Sequence, residues 1–98
     1  MRDAVIQRFE FTFELTWKTI LTVLRENGME FKGVKTVFRD AVQIGLLKDT
    51  ETWFSFLEAR NLTTHTYDLK IAEKVYKKAK EFSKAVTELM PKLSGETL

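Results

Sequence analysis

Apolar residues along this chain recur at steps of three and four rather than at alternate positions, the spacing that stacks side chains along one face of a helix. In the first segment Ile6, Phe9, Phe13, Trp17, Ile20 and Leu24 form such a stripe, which predicts a helix from about Arg2 to Asn27. Gly28 then supplies a left-handed stop. The second segment, "GVKTVFRDAVQIGLL", puts Val34, Val37, Phe38, Ala41 and Ile44 on one face and ends at Gly45, with Leu46 placed for the hydrophobic contact of a Schellman-type cap. Asp49 or Thr50 caps a third helix containing Trp53, Phe54, Phe56 and Leu57. The β-branched pair Thr63 and Thr64 weakens its continuation. Asp68 caps a fourth helix whose stripe is Ile71, Val75, Phe82, Val86, Leu89 and Leu93, running up to or across Pro91, and "SGETL" reads as a frayed tail.

One proline and four glycines in 98 residues leave these segments uninterrupted. The expectation is therefore a single all-α domain over residues 1–93, an antiparallel four-helix bundle with short loops, followed by a tail over 94–98. Val5, Phe11, Leu15 and Leu21 lie away from the main stripe of the first helix. One small bundle has few partners to cover them, so a homodimer is expected.

Composition narrows the chemistry. No cysteine is present, which excludes disulfides and thiolate metal sites, and the single histidine provides no imidazole cluster; neither metal nor cofactor is expected. Sixteen basic against 14 acidic residues leave a net charge of +2, too small to identify a nucleic-acid partner unless the charge is clustered. No apolar run approaches the roughly 20 residues of a membrane span, and the opening "MRDAVIQRFEF" lacks the order of a secretory signal, so a cytoplasmic location is expected.

The only histidine lies in "LEARNLTTHTYD", four residues beyond Asn61 and five beyond Arg60, with Tyr67 two further on. On one continuous helix Arg60 and His65 point about 140° apart. A bend, suggested by the threonine pair and the Asp68 cap, brings them together at the end of the bundle where loops meet. Two readings follow. In the plain one, Arg60 and Asn61 satisfy carbonyls at a helix end, His65 is a partly exposed turn residue, and Tyr67 packs with its hydroxyl in water. In the chemical one, His65 exchanges a proton with a ribose 2′-hydroxyl or a leaving oxygen, Arg60 stabilises charge on a phosphorane, and Asn61 orients either group or binds a phosphate oxygen. That set suffices for metal-free RNA cleavage. One histidine cannot act as separate acid and base, but a symmetric dimer supplies a second.

Two further charge patterns stand out. Lys70, Lys74, Lys77, Lys78, Lys80 and Lys84 against Glu73 and Glu81 give the fourth helix a local charge of +4, either an RNA-backbone stripe or an ordinary solvated face, of which the second is the simpler. Glu10 and Glu14 share a helical face, and Lys18, four residues after Glu14, makes a surface ion-pair ladder the expected arrangement.

"QRFEFTFELTWK", "AVQIGLL" and above all "LEARNLTTHTYD" resemble the HEPN superfamily, specifically its HepT-like branch, the nucleotidyltransferase substrate-binding proteins. The resemblance runs from Arg2 to about Lys92. The motif of that branch is arginine, four residues, histidine, one residue and tyrosine; Arg60, His65 and Tyr67 fill it, with Asn61 at the polar position that often follows the arginine. The resemblance implies a homodimeric four-helix bundle whose two motifs face one composite cleft. It further implies a metal-independent endoribonuclease toxin of a toxin-antitoxin pair. The partner is a minimal nucleotidyltransferase that silences the toxin by adenylylating the motif tyrosine, here Tyr67. The rival implication is a non-catalytic subunit whose cleft binds a nucleotide or presents a substrate to the transferase; a purely structural dimeric adaptor is a third. One departure is that relatives usually carry a further helix ahead of the segment at which this chain begins, so part of the first helix is expected to be exposed.

Overall fold

Four helices and one short turn of 3-10 helix make up residues 4–94, the part of the chain described by this computed structural model, with the side chain of Ser94 left aside. Helix α1 (Ala4–Glu26) buries Ile6, Phe9, Phe13, Ile20 and Leu24, the stripe expected from the spacing, with Trp17 half-buried. It closes on Gly28 at φ 81°: Met29 N–H donates to the Leu24 carbonyl and Gly28 N–H to that of Arg25, both at 3.0 Å. The same pair of bonds ends α2 (Val34–Gln43), where Leu46 donates to Ala41 at 2.8 Å and Gly45, at φ 82°, to Val42 at 3.0 Å. Both are Schellman closures, and the buried Leu46 makes the apolar contact that goes with the second. Ile44 departs from expectation. It is 37% exposed because α2 stops at Gln43 and helical periodicity no longer aims its side chain at the core.

Helix α3 (Thr50–Leu62) is capped by Asp49, whose carboxylate accepts the Thr52 N–H at 2.7 Å. That bond, with a smaller contribution from the Thr52 side chain, holds the Asp49 carboxyl below its ordinary pKa. As the threonine pair implies, α3 stops at Leu62. Thr63 opens a 3-10 turn, Thr63–His65, with its side chain buried, and turn residues 66–68 lead into the next helix. Helix α4 (Leu69–Ser94) starts with the Lys70 N–H bonded to the Asp68 carboxylate at 2.9 Å and passes through Pro91. The expected helix start at Arg2 and the tail over 95–98 lie outside the described residues.

Each helix packs against its neighbour in the chain, and α1 against α4 closes the ring, the contact pattern of a four-helix bundle; no strand occurs among the described residues. Phe82 stands at the centre. Its ring lies 5.2–5.9 Å from those of Phe9, Phe13, Trp53 and Phe56, three of the four contacts being edge-to-face, the arrangement aromatic quadrupoles favour. Phe38 extends the cluster to α2 through Phe13 and Trp53. Leu21, expected on a second face of α1, is buried in this core, whereas Val5, Phe11 and Leu15 stay exposed, Phe11 by 66%. Phe82→Ala removes the ring shared by three helices and is expected to cost about 3–5 kcal/mol in urea unfolding. A loss below about 1 kcal/mol would show that the cluster repacks without it.

Candidate active site at the α3 terminus

The last turn of α3 meets the middle of α1, and there the motif arginine finds its partners. Glu10 and Glu14 sit at i and i+4 on α1, so both carboxylates project from one face. Arg60 Nη1 lies 3.8 Å from Glu10 Oε2, and Nε lies 3.4 Å from Glu14 Oε1. Nε is buried and makes no directed hydrogen bond, so the second contact acts through charge. Each carboxylate has a further anchor. Thr63 Oγ1 is 2.8 Å from Glu10 Oε2 and 2.7 Å from the Arg60 carbonyl, so one hydroxyl proton serves two acceptors. Trp17 Nε1 donates to Glu14 Oε2 at 3.2 Å, and the Trp17 ring stacks on Phe31 with centroids 5.7 Å apart and planes at 20°.

This arrangement replaces the expected surface ladder. Glu14 pairs across the bundle with Arg60, and Lys18 extends over the Trp17 ring, its ammonium 5.8 Å from the centroid. The spacing of Glu10 and Glu14 was visible in the sequence. Their partner, some 50 positions away, was not, because only packing of α3 on α1 brings it there.

His65 is exposed and pairs with Tyr67. It ends the 3-10 turn, with Nδ1 3.3 Å from the Tyr67 hydroxyl; the imidazole tautomer decides which of the two donates. The rings lie 6.0 Å apart at 68°, and Tyr67 is 83% exposed. The Asp68 N–H closes the turn on the His65 carbonyl at 3.1 Å. The motif is therefore divided: Arg60 points inward to α1, His65 and Tyr67 outward, with the buried Thr63 between them. Among the described residues no hydrogen bond or ring contact joins the two halves. Asn61 is exposed and lines a groove of about 620 Å³ with Lys35, Phe54, Ser55 and Glu58. Lys35 and Arg39 lie over the Phe54 ring at 5.6 and 5.3 Å.

On α4 the lysines divide as well. Lys74 bonds Glu58 at 2.9 Å, and that hydrogen bond, then the ammonium charge, holds the Glu58 carboxyl below its ordinary pKa. Lys78 pairs with Glu81 at 3.2 Å. The expected solvated face is thus partly an ion-pair face.

A family described as "Nucleotidyltransferase substrate binding protein like" matches residues 1–95. The chain belongs to this family. A Haemophilus influenzae protein named "Probable ribonuclease HepT" is 34% identical over 82 residues, covering 79% of this chain and 56% of the relative. The chain thus spans little more than half the length of that relative. Both findings agree with the HepT-like resemblance carried by the motif. Among the described residues of this family member no helix is long and apolar enough to cross a membrane.

The inward half of the site generates a test of its own. Thr63→Val keeps the β-branched shape but removes the hydroxyl that Glu10 uses, and is expected to cost about 1–2 kcal/mol. Thermal or urea unfolding measures it. An unchanged midpoint would show that the Thr63 to Glu10 contact adds nothing to the α1–α3 junction.

Proposed function

We propose that this protein is a HepT-like ribonuclease, a metal-independent endoribonuclease toxin held in check by a partner minimal nucleotidyltransferase. The observation that carries the reading is the His65–Tyr67 pair, exposed at 3.3 Å immediately beyond the turn that anchors Arg60. An exposed imidazole can reach a ribose. His65 takes the proton of the 2′-hydroxyl, the 2′-oxygen bonds to phosphorus, the bond to the 5′-oxygen breaks, and that oxygen takes a proton from a second imidazole. Arg60 stabilises the charge that builds on the phosphoryl oxygens, and Asn61 orients the phosphate. The second imidazole comes from a second chain, which makes the active species a homodimer. The exposed Val5, Phe11 and Leu15 on α1 and Leu69 at the start of α4 are candidate surfaces for that association. The name of the Haemophilus influenzae relative supports the ribonuclease assignment. The cell compartment of this reading is the cytoplasm, where RNA and a nucleotidyltransferase are both present.

A second reading is favoured by the family description, which names substrate binding for a nucleotidyltransferase rather than cleavage. In it the same residues hold a nucleotide or present a substrate, and no bond is broken by this chain.

The readings part in an assay on a mixed RNA pool. Ribonuclease action is expected to continue in excess EDTA, to belong to a species of two chains by sedimentation, and to fall by about 10²–10⁴-fold in His65→Ala. Arg60→Lys, which keeps a cation between the carboxylates, is expected to fall as well because the planar fork is lost. Full activity in both variants, or complete loss in EDTA, overturns the assignment.

Regulation has a separate measurement. The Tyr67 hydroxyl is exposed and touches the His65 imidazole, so an adenylyl group there adds a phosphate and a base beside the general acid/base. With the cognate transferase and ATP, peptide mass spectrometry is expected to place the added mass on Tyr67, with cleavage lost and the fold retained. Modification elsewhere, or cleavage undiminished by it, shifts the weight to the binding-subunit reading.

A further inference from the structure

We propose that Glu10 and Glu14 are positioning residues for Arg60, and that Trp17, by aiming Glu14, sets the reach of the guanidinium toward phosphate. The inference rests on the ribonuclease reading for its kinetic arm alone. Arginine is a long side chain with much rotamer freedom, and a group that stabilises a transition state must already be in place when the charge forms. Here two nitrogens of the guanidinium, Nη1 and Nε, face different carboxylates from one helix. Two contacts at different nitrogens hold the group at two points along its length. One contact would leave rotation.

Neither contact is a directed hydrogen bond, the one at Nη1 being 3.8 Å long. At 3.4 Å the one at Nε exerts attraction but little angular control, so the orientation of the Glu14 carboxylate decides where Arg60 rests. That orientation is fixed from the opposite oxygen by the indole N–H of Trp17 at 3.2 Å. Trp17 is steadied in turn by stacking on Phe31. Glu10 has the equivalent support from the buried Thr63, which also bonds the Arg60 carbonyl and so ties the carboxylate to the residue it holds. The geometry describes a relay from an aromatic stack through a carboxylate to a cation.

Such a relay differs from a simple tie between α1 and α3. A tie changes stability. A relay changes the rate of the chemical step in protein that is still folded, with little effect on binding. The discriminating variants are Trp17→Phe, which keeps a ring against Phe31 and the charge on Glu14 but removes the indole donor, and Glu14→Gln, which keeps an oxygen acceptor but removes the charge. In each, kcat on RNA is expected to fall by roughly 10–100-fold, with KM within about twofold of the parent, the size of loss that small misplacements produce. The NMR signal of Arg60 Nε–H, buried in the parent, is expected to broaden or vanish through exchange with water in both variants, at an unfolding midpoint that leaves the chain folded. Unchanged kcat, together with an unchanged Arg60 signal, overturns the proposal, as does a fall in kcat explained wholly by loss of folded protein. If the parent cleaves no RNA, the ribonuclease reading fails by itself. The positioning role is then decided by the Arg60 signal and by the affinity of a labelled RNA oligonucleotide. A signal retained in Trp17→Phe rejects it, and a signal lost with weakened binding upholds it.

Discussion

Edge-to-face packing around Phe82 is the interaction on which the rest of the molecule depends. The ring sits on α4 and is reached from α1 by Phe9 and Phe13 and from α3 by Trp53 and Phe56, so three helices are registered against one another by a single side chain. Non-directional burial alone would let these helices slide or rotate. Rings that meet at preferred angles restrict both motions. The position of α3 on α1 that follows brings Arg60 opposite Glu10 and Glu14 and buries Thr63 beside them.

The junction so formed carries an excess of negative charge. Two carboxylates face one guanidinium, and the side chains of all three keep partial access to solvent, between 22 and 39%. At that exposure such pairs are weak contributors to stability, and their geometric consequence matters more than their energy. The carboxylates keep a flexible cation at one place on the α1 face, while the imidazole and phenol of the motif stand on the outer surface beyond the turn. Tyr67 itself is 83% exposed.

Much of the fold follows from local rules. The stripes of α1 and α4, the Schellman closures at Gly28 and Gly45 and the caps at Asp49 and Asp68 each depend on residues within a turn or so of one another, so spacing and residue type were enough to find them. Where local rules failed, a longer-range contact or a boundary effect intervened. Leu21 was covered by neighbouring elements, and Ile44 fell one residue past the end of its helix.

The sequence by itself determined that the described chain is helical, where α2 and α3 begin and where α1 and α2 end to within a few residues, and that Arg60, Asn61, His65 and Tyr67 occupy one short segment of a recognisable motif. Tertiary structure alone decided how that segment is oriented. The pairing of Arg60 with Glu10 and Glu14 is set by how α3 packs on α1. That packing is registered by the rings around Phe82, which come from three helices, and no spacing within one helix encodes it. Carboxylates at i and i+4 look the same in sequence whether they face water or a guanidinium from another helix, because the difference lies in a partner about 50 residues away.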